Sequence, residues 1–196
     1  PEPVLGLGKN GAALILCPEV FSGLTEAGKA FVLGRAVSLV KLNLHFFALA
    51  EPDTARQLVL GALKGFDASR TFPGHDDRAL RGIVKAVSRD QTLLKTLDGV
   101  SKELWRNREA LDWQALRQAA LLTGSRAGML VAGGMFPATQ AIVHTNMSLR
   151  GRVPETAAGV VKLFREVPEL VDLAPFAVGK RYWANQAAET AILAIE

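Results

Sequence analysis

One cysteine, Cys17, is all the thiol this chain has in 196 residues. That excludes an intrachain disulfide framework and leaves too few thiols for a cysteine-built zinc site. It fits a reducing compartment, and the chain is read as cytoplasmic. Histidine is nearly as scarce: only His45, His75 and His144. No two of them stand three or four positions apart, so no helix offers a histidine pair to a metal. Charge of one sign is also limited. The net charge of +4 is too mild to argue for a nucleic-acid binder alone. The longest apolar stretch, residues 30–50, is interrupted by Arg35, Lys41, Asn43 and His45, which favours a buried helix over a membrane span. No low-complexity run, internal repeat or G-x-S-x-G nucleophile elbow is present.

What is there suits a globular fold. With 49% hydrophobic residues the chain can bury a sizeable core. Its length reads as one domain, 1–196, with a β-hairpin at 1–17, a helical core at 18–150 and C-terminal helices at 151–196. The first residue is Pro and no signal peptide is visible, which reads as a piece trimmed from a larger protein.

The hairpin expectation rests on two short apolar runs, Val4 to Gly8 and Ala12 to Cys17, around Asn10-Gly11, a favoured pair in tight turns. Thr25 is placed to cap a helix reaching about Phe47. Its apolar residues (Phe31, Val32, Leu33, Val37, Leu39, Val40, Leu42, Leu44) surround most of the cylinder, which predicts a place in the middle of a bundle. Further helices are predicted from Pro52 to Lys64, from Asp76 or Asp77 to Arg89, and from Gln91 to Asn107 with a break at Gly99. Asp112 caps a long helix to Ala132, ended by Gly133-Gly134, and Pro137 suits the first turn of the next. After a turn at 151–154, helices are predicted over 155–166 and 168–195, the last broken near Pro175 or Gly179. The fold class is mainly α (α+β): a helical bundle with a small N-terminal hairpin.

Several motifs have plain readings. Gly6-x-Gly8-x-x-Gly11 matches a dinucleotide fingerprint, but a strand rather than a helix follows it, so the glycines are turn residues. Lys9 lacks the Ser or Thr of a phosphate-binding loop. The carboxylate pairs Glu103/Glu109 and Asp76/Asp77 are explained by exposed charge and helix capping.

Two segments carry more. Residues 30–41, AFVLGRAVSLVK, occupy a helix after Pro18-Glu19-Val20-Phe21-Ser22-Gly23-Leu24-Thr25-Glu26. Residues 121–130, LLTGSRAGML, lie on the long apolar helix. Together they resemble the two ligand helices of the HtpX-like minigluzincin zinc peptidases, a resemblance covering about half the chain. In that family the first helix carries H-E-x-x-H, two zinc ligands and a general base, and the second carries E-x-x-A-D-R-x-G. Carried over by position, Arg35 stands for the first His, Ala36 for the Glu and Leu39 for the second His. Leu121 stands for the third ligand, and Ser125 for the Asp that supports the site. Arg126 and Gly128 are retained. The resemblance implies a minigluzincin-like fold in a bacterial protein whose zinc ligands and base are gone. It implies no catalytic residue, no metal and no cofactor.

Three functions follow. The first is a catalytically inactive, scaffolding module for a protein partner or for other domains of the same polypeptide, with a peptide strand added to the hairpin edge. The second is a helical domain with an unrelated ligand-binding or enzymatic pocket. The third, a weak nucleic-acid binder, would use Arg150, Arg152, Lys180 and Arg181 beside Tyr182 and Trp183. A solvated face explains those residues better, so nucleic acid is the less favoured partner, and no membrane partner is expected. In the former zinc site, Leu39 and Leu121 are expected to approach each other. Arg35 is expected to find an acidic partner, because an unpaired buried guanidinium is costly.

Overall fold

The computed structural model describes residues 4–8, 11–15, 18–71, 77–146, 148–149, 156–180 and 182–184. It is mainly α-helical. Strands β1 (Val4–Gly8) and β2 (Gly11–Ile15) pair antiparallel, Val4 opposite Ile15 and Gly8 opposite Gly11. The expected Asn10-Gly11 turn, Cys17, His75, the 151–154 turn and the helix beyond residue 184 lie outside the described residues.

The backbone divides into two compact units. One combines Pro1–Ala48 with Gln118–Glu196, and the other is Leu49–Arg117.

The first unit opens with α1 (Pro18–Ser22) and α2 (Glu26–Lys41). Thr25 caps α2: its hydroxyl accepts from the Gly28 amide at 3.1 Å, a contact that contributes about 1 kcal/mol. The helix expected to reach Phe47 stops at Lys41. Asn43 takes a positive φ of 56°. The Leu44 amide then donates to the Leu39 carbonyl at 2.8 Å, and the Asn43 amide to the Val40 carbonyl at 3.0 Å. These are the two bonds of a Schellman ending, with asparagine in the left-handed position it tolerates better than most residues. A short α3 (His45–Leu49) follows. Nor is α2 enclosed on all sides as expected. Phe31, Val32, Ala36 and Leu39 are buried, but Leu33, Val37 and Leu42 are exposed. Among the described residues only one face of α2 has helices to cover it.

Helix α4 is Pro52–Phe66, α5 is Asp77–Arg89 and α6 is Gln91–Asn107. These three pack on one another in the second unit. Among the described residues, Ala55, Leu60, Leu63, Leu80 and Val87 form its buried apolar positions. Gly61 and Gly65 let α5 approach α4: a methyl group on Gly65 would lie 2.6 Å from Val87 Cβ. α6 runs through Gly99 without the expected break, since one helical glycine costs only about 1 kcal/mol.

Helix α7 (Trp113–Val131) is capped by Asp112, whose carboxylate accepts from the Ala115 amide at 2.9 Å. From Gln118 onward α7 belongs to the first unit. It ends in a second Schellman pair, Gly134 amide to Met129 carbonyl and Gly133 amide to Leu130 carbonyl, both 3.2 Å. Gly133 has φ 76°, which a side chain would strain. Then come α8 (Met135–Thr145), α9 (Ala157–Glu166) and α10 (Pro168–Val178), the last ending at Gly179 with Pro175 inside it. The core of this unit joins Phe31, Met129, Ile142, Leu170 and Leu173, from α2, α7, α8 and α10. Each such side chain stabilises by up to about 1.5–3 kcal/mol.

Among the described residues, no helix is long and apolar enough to cross a membrane.

Candidate functional site

The motif positions meet where α2 crosses α7. Glycines set the crossing distance. A methyl group added to Gly128 would stand 2.6 Å from the Phe31 carbonyl oxygen and 3.2 Å from Arg35 Cβ. One added to Gly124 would stand 3.0 Å from Leu39 Cγ and 3.2 Å from Arg35 Cγ. One added to Gly34 would stand 2.9 Å from Val131 Cβ. Two helix backbones this close leave no room for side chains between them, so residues to either side of the crossing must fill the joint.

On one side the filling is apolar. Leu39, Ala48 and Ala120 form a small buried cluster, with Leu44, Phe47 and Leu121 packed against it. Leu39 and Leu121, which were expected to approach each other, share one apolar cluster. Ala36, which the resemblance aligns with the general base, is buried.

On the other side the filling is polar. The Arg35 guanidinium lies 2.8 Å from a carboxylate oxygen of Glu169, in the first turn of α10. The Ser125 hydroxyl lies 2.8 Å from the same carboxylate oxygen and 3.0 Å from the Leu121 carbonyl. Ser125 is completely buried, and the Arg35 and Glu169 side chains are 24% and 19% exposed. A hydroxyl has one proton and faces two acceptors here, so the charged oxygen takes the stronger bond. The Glu169 carboxylate thereby links the three helices.

One residue on, Arg126 pairs with Asp172 one turn along α10. Its Nε donates to Asp172 Oδ2 at 2.8 Å, and its terminal nitrogen pairs with the other carboxylate oxygen. The guanidinium also stands 5.6 Å from the Phe176 ring centre. The Asp172 hydrogen bond raises the Arg126 pKa above its already high ordinary value, so Arg126 stays charged at any working pH.

Sequence reasoning named Arg35, Ala36, Leu39, Leu121 and Ser125 but missed Glu169 and Asp172. The one local signal for them is spacing. Glu169 and Asp172 are three apart on α10 and meet the adjacent pair Ser125-Arg126 on α7. That spacing is also ordinary for a solvated helix.

The residues present do not fit zinc. A catalytic zinc takes three lone-pair donors and leaves a position open for water. The three positions that the resemblance aligns with zinc ligands hold a permanent cation and two leucines. The nearby Glu169 carboxylate is engaged by Arg35 and Ser125. Of the alternative basic patch, Arg150, Arg152 and Arg181 lie outside the described residues; Lys180 and Trp183 are exposed and Tyr182 is buried.

No protein family matches this chain, and neither a curated protein nor a solved structure gives a significant match.

Proposed function

We propose that this chain is a catalytically silent relative of the minigluzincin peptidases that works as a protein-interaction module. The observation carrying the reading is the α2/α7 crossing. Arg35 and Leu39 from one motif meet Gly124, Ser125 and Gly128 from the other, and Glu169 neutralises the arginine. These are the positions at which the resemblance places the two motifs of one site. The polar remnant closes on itself, so it supports structure rather than turnover: no group there is free to activate water.

The interaction role rests on the N-terminal hairpin. Among the described residues β1 and β2 form a two-stranded sheet, with no described strand against the outer edge of either. An extended peptide can add to such an edge through main-chain hydrogen bonds, the binding mode that survives when the chemistry of a peptidase is lost. The partner is then a strand of another protein or of another domain of the same polypeptide, in a cytoplasmic setting.

The test has two readouts on the chain as it stands. Dialysis against zinc followed by metal analysis is expected to leave no stoichiometric metal, and unstructured protein substrates are expected to stay uncleaved. Extended peptides selected by phage display should bind in the micromolar range and shift the amide signals of residues 4–15. Stoichiometric zinc with cleavage would overturn the silent reading. Selected peptides that shift only other residues would overturn the edge.

A further inference from the structure

The second unit carries a feature that the peptidase-like reading does not use. On α5, Arg81, Lys85 and Arg89 follow one another at intervals of four. All three are exposed, and among the described residues none of them forms an ion pair. At about 1.5 Å of rise per residue, they form a row with steps of about 6 Å. The opposite side of α5 holds the helix in place: Leu80 is against Gly61 and Val87 against Gly65 on α4. The row is thus a rigid line of charge on a packed helix.

What lies between the cations narrows the partner. The exposed positions there are Gly82, Ala86 and Ser88. A methyl group added to Gly82 would meet nothing within 4 Å, so packing does not require that glycine. A membrane-surface helix needs Trp, Phe or Leu to enter the acyl boundary. A protein partner is held by aromatic or aliphatic anchors, and the centre of such an interface is depleted in charge. The outer face of α5 offers neither. It offers repeated positive charge with small residues between, over which a polyanion can lie close to the helix. A nucleic-acid strand has that character: a phosphate about every 3.4 Å of axis. Phosphate contacts position a protein without reading sequence, and the row has no aromatic side chain on which a base would stack.

We infer that α5 is a docking face for the phosphate backbone of a nucleic acid, contacted without sequence preference through Arg81, Lys85 and Arg89. The site is independent of the α2/α7 crossing and of the reading built on it.

The test is fluorescence anisotropy of a labelled mixed-sequence DNA duplex, about twenty base pairs long, titrated with the full chain between about 50 and about 200 mM salt. Three phosphate contacts give a log–log salt slope near −2.7, so affinity should fall about 40-fold over that range. Arg81→Ala, Lys85→Ala and Arg89→Ala combined should remove that slope. Arg81→Lys with Arg89→Lys should keep it. Circular dichroism checks that each variant folds. If the triple variant does not, Lys85→Gln alone should reduce the slope by about 0.9. Three results overturn the inference. One is a duplex that does not bind at about 50 mM salt. The second is a slope that the alanine variants leave unchanged. The third is a row that binds phosphatidylserine vesicles or polyglutamate but not the duplex.

Discussion

Breaking the Arg35–Glu169 pair tests the energetics of the crossing. The two groups are 2.8 Å apart. At that separation their attraction is about 1.5 kcal/mol in water-like surroundings and about 6 kcal/mol at an effective dielectric constant of 20. The side chains keep 24% and 19% of their exposure, so the surroundings lie between those limits, and desolvation opposes the gain. The net coupling should be about 2 kcal/mol, above the range of exposed pairs and below that of fully buried ones. Glu169→Leu leaves a guanidinium against an apolar joint. Arg35→Leu leaves a carboxylate held only by Ser125. Each single variant should lose about 2 kcal/mol, and the double variant should lose less than the sum because neither charge is then stranded. Urea unfolding followed by far-ultraviolet circular dichroism reads all four corners of the cycle. The midpoint should fall while the slope against urea stays constant. A coupling below about 0.5 kcal/mol, the level of an exposed surface pair, would refute the claim that this carboxylate holds the crossing together.

Two glycine substitutions should have opposite signs. Gly128→Ala pushes a methyl group to 2.6 Å from the Phe31 carbonyl and should destabilise by about 1–3 kcal/mol. Gly99→Ala on α6 meets nothing within 4 Å and should stabilise by about 0.5–1 kcal/mol, measured as a shift in urea midpoint. Asp67 gives a pH dependence. The Ser69 hydroxyl and amide donate to its carboxylate at 2.7 and 3.0 Å, and Arg70 stands beside it, which holds its pKa below the ordinary value. A folded-state pKa below the unfolded one gives stability that is complete above about pH 4 and is lost as pH falls through the folded value. Asp67→Asn should therefore flatten the acid limb of the stability profile below about pH 4, with the wild-type carboxyl titration followed by NMR.

Local chemistry made most helix starts legible. Thr25 and Asp112 cap where their side chains can reach an amide three residues on, and Gly133 ends α7 where a left-handed residue was needed. The stop at Lys41 was missed because Asn43 sits inside an apolar run. Its signal, an asparagine free to turn left-handed and followed by a leucine, is shared by many exposed helical positions. The exposure of Leu33 and Val37 was illegible for another reason: hydrophobicity shows what a face can bury, not which neighbour arrives to bury it. Glu169 shows the same limit at the site. An arginine at position 35 demands an acid, and that demand could be read from the sequence. Which acid answers depends on how α10 packs, and nothing local to residue 35 encodes that. The spacing of the row on α5 stands in the sequence, but that no described residue pairs with it needed the structure.

The central claim is that the α2/α7 crossing is a peptidase site emptied of its ligands. Restoring them is the most direct measurement: Arg35→His, Ala36→Glu, Leu39→His and Leu121→Glu in one chain, dialysed against zinc, with the metal counted by atomic emission and its ligands read by X-ray absorption. The account predicts one zinc per restored chain, bound through nitrogen and oxygen, and a thermal midpoint that rises with added metal. A restored chain that folds, as judged by circular dichroism, yet holds no zinc would contradict it.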